Sequence, residues 1–182
     1  QYLPGQYIDI LLRDGRRRSF SIANAAAEGE DLQLHVRRVS DGHFTEQVFT
    51  TMKARDLLRF QGPLGTFFLR EEESHPVIMV GGGTGLAPLK AILDVALDKF
   101  PDREFHLFWG VRSMEDLYLD NEVRRRSDTH RNLSYTPVLS EPKAEDNWQG
   151  ETGFVHEVVL RQHPALNDFE VYASGPPPMI EA

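Results

Sequence analysis

The run Val77-Ile78-Met79-Val80-Gly81-Gly82-Gly83-Thr84-Gly85-Leu86-Ala87-Pro88 sets a wholly apolar segment directly before a glycine cluster. An apolar run without polar alternation marks a strand covered on both faces, as in a parallel sheet. Beyond the glycines, Leu86, Leu89, Leu93, Ala96, Leu97 and Phe100 recur at helical spacing, so the order is strand, turn, helix. Further apolar strands are expected at 105–109, 133–139 and 169–173, alternating with helical stretches near 115–126 and 154–162. Alternation of this kind predicts an α/β, doubly wound parallel sheet.

Upstream the texture differs. Short strands are expected at 6–12, 18–23, 32–39 and 56–60, broken by Asp14-Gly15, Glu28-Gly29 and Gly62-Pro63, with one helix over 43–52. Regularly spaced short strands with turn residues between them predict an antiparallel β-barrel or sandwich. The acidic run Glu71-Glu72-Glu73 reads as a solvated linker, and the boundary is drawn there. The expectation is a two-domain chain: an antiparallel β-barrel over 1–73, N-terminally incomplete, and a doubly wound α/β unit over 74–182, C-terminally incomplete. Gln1 opens on the edge of a strand pattern and Ile180-Glu181-Ala182 follows a turn that begins a helix, so both ends read as cut.

Bulk properties narrow the function classes. The chain has 182 residues, of which 40% are hydrophobic, enough for one large core or two small ones. Twenty-eight Asp and Glu against 20 Lys and Arg give a net charge of -8, the wrong sign for gripping a phosphate backbone over a broad surface. No nucleic-acid partner is expected. No apolar run approaches the roughly 20 residues that span a bilayer, so no membrane association is expected and the location reads as cytoplasmic. With no cysteine, disulfides, thiolate zinc sites and cysteine-ligated iron–sulfur clusters are excluded within these residues. The seven histidines show no ligand spacing such as His-Glu-x-x-His, and no metal site is expected. Arg124-Arg125-Arg126 reads as a solvated helix face, and Ser140-Glu141 has no His–Asp relay to make it a nucleophile.

The glycine turn carries the strongest chemical signal. Between a buried strand and an amphipathic helix, backbone amides and the helix dipole can face an anionic diphosphate. A plain strand-to-helix turn needs one or two glycines, whereas here four glycines and a threonine fill five positions. The strict three-glycine dinucleotide fingerprint fails, because Leu86 or Pro88 falls where its third glycine belongs. No Lys-Ser/Thr pair follows at Walker spacing either, which weighs against ATP. A second signal is Arg17-Arg18-Ser19-Phe20-Ser21, whose period of two puts Arg18 and Phe20 on one side and Ser19 and Ser21 on the other. By itself that pattern also fits an exposed basic edge strand.

Four motifs in order carry a family resemblance: Arg18 to Ser21, Gly42-His43-Phe44-Thr45, Gly83-Thr84-Gly85-Leu86-Ala87-Pro88, and Ser174-Gly175-Pro176-Pro177, with Pro4-Gly5-Gln6-Tyr7 ahead of them. Together they resemble the ferredoxin–NADP reductase family along essentially the whole chain. The resemblance implies that Arg18 pairs with the diphosphate of FAD, that Ser19 and Phe20 lie on the flavin-contacting strand with Phe20 against the ring, and that Ser21 hydrogen-bonds near flavin N5. His35, Val36 and Arg37 match the next flavin-contacting strand. Gly42, His43 and Phe44 open a helix whose amides would meet the flavin diphosphate, with Thr45 as its capping hydroxyl, which favours FAD over FMN. Gly83, Thr84, Gly85 and Pro88 would form the coenzyme turn, with Gly110, Arg112, Gly175 and Pro176 also at the coenzyme. Ser174 stands where relatives often carry cysteine beside the nicotinamide, and is paired with Ser21 as a candidate catalytic residue.

The residue chemistry agrees: a guanidinium suits a phosphate, an aromatic suits a planar ring, and a hydroxyl can donate or accept at an atom that gains a proton. The implied activity is hydride transfer from NAD(P)H to bound FAD, with electrons then leaving singly to an iron–sulfur domain or protein; any 2Fe-2S cluster lies outside these residues. A free-flavin reductase is the rival enzyme, on the strength of Tyr7, Trp109-Gly110 and Tyr118, and free flavin would then be the acceptor. A non-catalytic NAD(H)-sensing module is the rival of another class. For the coenzyme, NADH is favoured over NADPH. The loop Trp109-Gly110-Val111-Arg112-Ser113-Met114-Glu115-Asp116 sets one cation against two carboxylates, and no second Lys or Arg follows before Arg124 to clamp a 2′-phosphate.

Overall fold

In the computed structural model, residues 1–26, 31–40 and 42–182 are described. Three strands open the chain: β1 (Tyr7–Leu11), β2 (Arg17–Ser21) and β3 (Arg59–Leu64), forming an antiparallel sheet in the order β2-β1-β3. In β1 the period of two is literal, since Ile8 and Ile10 are buried while their neighbours are not. With Ile22 and Phe44 of helix α1 (His43–Thr50), these two isoleucines make the small core of the antiparallel unit.

Three expectations upstream need correction. The stretch 32–39 is not a regular strand: Leu34 makes an isolated bridge to Ile22. The buried Asn24 side chain takes over the ladder, accepting from the Gln33 amide at 3.0 Å and donating to the Asp31 carbonyl at 3.0 Å. The last strand begins later than 56 because Asp56 closes a turn, its carboxylate accepting from the Lys53 amide at 2.8 Å. Gly62-Pro63 therefore falls inside β3 instead of breaking it. β3 is an edge strand, where a missing N–H is tolerated, and a Cβ on Gly62 would stand 2.7 Å from the Ile8 side chain. The turn assigned to Glu28-Gly29 lies outside the described residues.

The second sheet holds β4 (Val77–Gly82), β5 (Phe105–Val111), β6 (Leu133–Leu139), β7 (Glu151–Thr152) and β8 (Glu170–Ser174), all parallel, in the order β7-β6-β5-β4-β8. Every residue of β4 is buried, as its apolar run requires of a central strand. Helices α2 (Leu86–Lys99) and α3 (Asp120–Thr129) cover one face, over Val77, Met79, Leu107 and Trp109. Helix α4 (Val155–Gln162) and Met179 of the short α5 (Pro177–Ile180) cover the other, over Ile78, Val80 and Phe108. Each such aliphatic side chain contributes about 1.5–3 kcal/mol on full burial, and α2 alone buries Leu86, Leu89, Ile92, Leu93 and Leu97. α3 starts later than the helical stretch read near 115–126, because Met114–Asp116 forms a separate 3-10 turn closed by Asp116 onto Ser113.

Successive strands build outward from β4 through β5 to β6, and the chain then returns to place β8 on β4's other side. The order reverses between β4 and β8, and their carboxyl ends are where a doubly wound sheet opens a crevice.

Candidate functional site

The reversal brings two glycine turns into backbone contact. In register, Gly81 lies opposite Ser174. A Cβ on Gly85 would stand 2.0 Å from the Ser174 carbonyl oxygen, and one on Gly82 would stand 2.9 Å from Pro176. Side chains at 82 and 85 would thus wedge β4 and β8 apart, which is the physical reason for glycine there. Gly83 differs: its φ of +55° is left-handed, and no atom lies within 4 Å of where its Cβ would be. The Gly83–Gly85 3-10 turn is therefore packed from below by Ser174, Gly175 and Pro176 and open at Gly83, a backbone turn of the kind that can face an anionic group. Thr84 is half-buried on this turn and Pro88 is buried in the first turn of α2.

Gly110 is at the end of β5, where its missing Cβ leaves room for Val155 of α4, so its demonstrable task is packing. Arg112 follows, exposed, its carbonyl accepting from the Glu141 amide at 2.8 Å. In the 3-10 turn beyond it, Asp116 accepts from the Ser113 amide at 3.2 Å and lies 3.3 Å from the Ser113 hydroxyl, so these two groups occupy each other. Glu115 is paired at 2.8 Å with Lys143. Topology thus supplies the second cation that the linear sequence lacks before Arg124.

On the antiparallel side, three consecutive arginines have different surroundings. Arg16 pairs with Asp14 at 2.6 Å, and Arg17 lies 3.8 Å from Asp9 while donating to Gln61 at 3.0 Å. Arg18 is exposed, donates to the Arg17 carbonyl at 2.7 Å and has no carboxylate partner among the described residues. Of these three arginines it is the one without an ion pair, acting on Asp14 only at longer range. Ser19 instead donates to Asp9 at 2.6 Å across the strand pair, and Phe20 tilts against Phe44 at 5.5 Å. Ser21 is half-buried at the end of β2, two residues before Ala23, whose carbonyl accepts from Lys90 of α2 at 3.3 Å. The chain there meets α2, the helix that follows the glycine turn.

Gly42 is the N-cap of α1, with His43 exposed and Phe44 buried in the core, so Phe44 can serve a site only through its backbone. Thr45 does not cap the helix, contrary to expectation: its hydroxyl bonds back to the Gly42 carbonyl at 3.0 Å and lies 3.3 Å from the Val39 amide. A helix that starts on glycine leaves its first amides without a side-chain cap. Val36 is half-buried and Arg37 exposed. His35 reaches into the other unit, its Nδ1 2.7 Å from the Tyr118 hydroxyl. Burial, followed by the charge of Lys90, holds the His35 imidazole below its ordinary value, with Glu122 and Asp94 opposing.

Sequence reasoning passed over two groups that fix the site's frame. Arg103, 6% exposed, donates to the carbonyls of His75 at 2.8 Å and Arg70 at 2.9 Å and pairs with Glu170, whose other oxygen accepts from Tyr172. The linker around Glu71-Glu72-Glu73 is thereby fastened to β8 at both ends. Arg126 is not on a solvated face: it pairs with Asp94 of α2, which Lys90 also contacts at 3.1 Å. Only the juxtaposition of α2 and α3 reveals this, since nothing in the local spacing marks Arg126 apart from Arg124 and Arg125.

A doubly wound sheet with an open glycine cradle at its switch point, joined to an antiparallel unit with a free arginine, defines a dinucleotide-binding, ferredoxin reductase-like protein. Residues 79–182 match the family described as oxidoreductase NAD-binding domain, and the chain belongs to it; residues 1–69 match the oxidoreductase FAD-binding domain. The chain is similar, at 43% identity over its whole length, to the CDP-6-deoxy-L-threo-D-glycero-4-hexulose-3-dehydrase reductase of Yersinia pestis, covering 54% of that protein. It is 34% identical, again along all of its length, to the anthranilate 1,2-dioxygenase electron transfer component of Acinetobacter baylyi, covering 52% of it. Among solved structures, a cytochrome P450 reductase from Amycolatopsis superposes with a TM-score of 0.90 at 36% identity, over 99% of this chain and 55% of that one. The chain spans about half the length of the curated relatives it matches. No helix among the described residues is long and apolar enough to cross a membrane.

Proposed function

We propose that the chain is the FAD- and NAD(H)-binding part of a reductase that takes a hydride from NADH and passes electrons singly to an iron–sulfur centre or protein. The observation that carries this reading is the open cradle of Gly83–Gly85, pressed against Ser174 and Gly175 at the point where strand order reverses. The relatives add support, since the named ones are reductase or electron-transfer components of larger systems. The two units are divided near residue 73, between the two family matches. A cytoplasmic location fits an enzyme drawing on soluble NADH.

The residues fit the group they would hold. Arg18 supplies an unpaired guanidinium for the FAD diphosphate, and the uncapped amides after Gly42 supply donors for it. Bound FAD contributes hydride acceptance and one-electron release, chemistry that no side chain here possesses. What the chain contributes is binding and orientation. Ser21 offers a half-buried hydroxyl at the end of β2, and Ser174 a small polar group at the crevice wall. The glycine turn holds the coenzyme diphosphate, and Arg112, two residues beyond the Gly110 that pairs with Gly82, is placed by strand register to assist it.

The test is direct. Purified protein should be yellow with one FAD per chain, and NADH added without oxygen should bleach it. Colourless protein that binds NADH without turnover would be a sensing module. Protein that loses its flavin on gel filtration but reduces added FMN would be a free-flavin reductase.

A further inference from the structure

Among the described residues, several contacts join the antiparallel unit to the parallel sheet and its helices. One set is at the amino-terminal edge of the sheet: Tyr172 meets Phe67 edge-on at 5.7 Å and accepts from the Arg70 amide, while Arg103 holds the linker carbonyls. Another set is at the carboxyl edge, where the glycine cradle lies. It includes Lys90 to the Ala23 carbonyl and the hydrogen bond between His35 and Tyr118.

The His35–Tyr118 contact continues inward. Tyr118 meets His35 edge-on at 5.2 Å with planes at 89°, and meets Trp109 in the same manner, again at 5.2 Å and 89°. The fully buried Trp109 donates its indole N–H to the Gly83 carbonyl at 2.8 Å. A contiguous chain thus runs from the flavin-side segment, through two edge-to-face ring pairs, to the one glycine of the cradle with no packing above it. Rings in edge-to-face contact have fixed directions, so a shift at one end is transmitted to the other. Tyr118 remains 45% exposed, and burial alone does not explain a tyrosine at this position. A phenylalanine would stack as well; the hydroxyl is needed to reach His35. A phenol is protonated at neutral pH in any case, and burial pushes this one further up, so the hydroxyl is available to bond.

We infer that Tyr118 is a positioning residue for hydride transfer: through His35 on one side and Trp109 on the other it sets the coenzyme turn at Gly83 relative to the flavin strand. The inference rests on the function proposed above. Tyr118 acts through Trp109 and His35 rather than by holding the coenzyme itself.

The test is Tyr118→Phe in the full-length, FAD-loaded protein. The limiting rate of flavin reduction by NADH should fall about fivefold, the effect of losing one hydrogen bond from a positioned array. The Kd for NAD+ should stay within about twofold, because binding contacts are intact. Amide hydrogen exchange in the peptide carrying Gly83–Leu86 should accelerate by a similar factor, measurable with or without NADH. His35→Phe should match Tyr118→Phe, the double variant should be no slower than either, and His35→Gln, which can still accept a hydrogen bond, should recover most of the rate. An unchanged rate, a loss confined to Kd, or additive losses in the double variant would overturn the inference. If the wild-type protein does not bleach with NADH the functional reading falls, and unchanged exchange at Gly83–Leu86 in Tyr118→Phe would still sink the brace independently.

Discussion

Arg18 and Ser19 are adjacent on one strand and do opposite things with their polar groups. Ser19 spends its hydroxyl on Asp9 of the neighbouring strand, a cross-strand hydrogen bond open to any antiparallel pair. Arg18 leaves its charge unspent beside two arginines that have found acidic or amide partners. The same discrimination applies at the glycines, where Gly82 and Gly85 are dictated by the approach of β8 and Gly83 by its left-handed backbone. Arg18→Ala should therefore weaken FAD binding by about 1.5–3 kcal/mol, at least about tenfold, because a charge-assisted phosphate contact disappears while no internal ion pair is broken. Arg17→Ala, which removes a guanidinium already engaged with Gln61, should change affinity far less. Titration of apoprotein with FAD, followed by fluorescence, checks both, and an equal loss in the two variants would remove Arg18 from the flavin site.

Among the elements, those whose signals are local were legible and those made by distant partners were not. β4, its turn and α2 follow from apolar run, glycines and helical spacing, and the observed bounds differ from the reading by a residue or two. The segment 32–39 looked like a strand by composition, but Asn24 competes for its backbone, and such side-chain rivalry leaves no periodic trace. The loop at 109–116 is the instructive case. Its local sequence sets one cation against two carboxylates, whereas the fold lays the segment after β6 alongside it and sets Lys143 on Glu115. With Lys143 present, Glu115 is neutralised as a pair, although both ends are exposed and the pair itself is weak. NADH should still be the better substrate, because Lys143 is held by Glu115 and leaves Arg112 without a second free cation for a 2′-phosphate. Lys143→Glu should lower kcat/KM for NADPH by about tenfold through like-charge repulsion and leave NADH within about twofold. Steady-state kinetics with both coenzymes checks this, and parallel losses with the two would show that Lys143 does not face the ribose end.

At the scale of the whole molecule, the contacts that join the two units at the carboxyl edge include a titratable group. His35 is surrounded by Tyr118 from the segment before α3, Lys90 and Asp94 from α2 and Glu122 from α3. Desolvation is the largest influence on it and Lys90 the next, both disfavouring the imidazolium; Glu122 and Asp94 act the other way and do not prevail. In the unfolded chain His35 titrates near its ordinary value of 6.5, and in the folded protein below that. Between the two values the unfolded state binds more protons, so stability rises with pH across this window. The contribution is fully present above 6.5 and is lost as pH falls through the depressed folded value. His163, also lowered by burial and by His106, adds a slope of the same sign, so the wild-type curve alone does not isolate His35. Comparison with His35→Gln does, because glutamine can keep the bond to Tyr118 without titrating. Urea unfolding at a series of pH values from about 5 to 8 should show the wild type losing stability towards acid more steeply than His35→Gln, with the curves parallel above neutrality. Parallel curves throughout would mean that His35 titrates alike in both states, and that the fold does not bury it as the contacts with Tyr118 and Lys90 require.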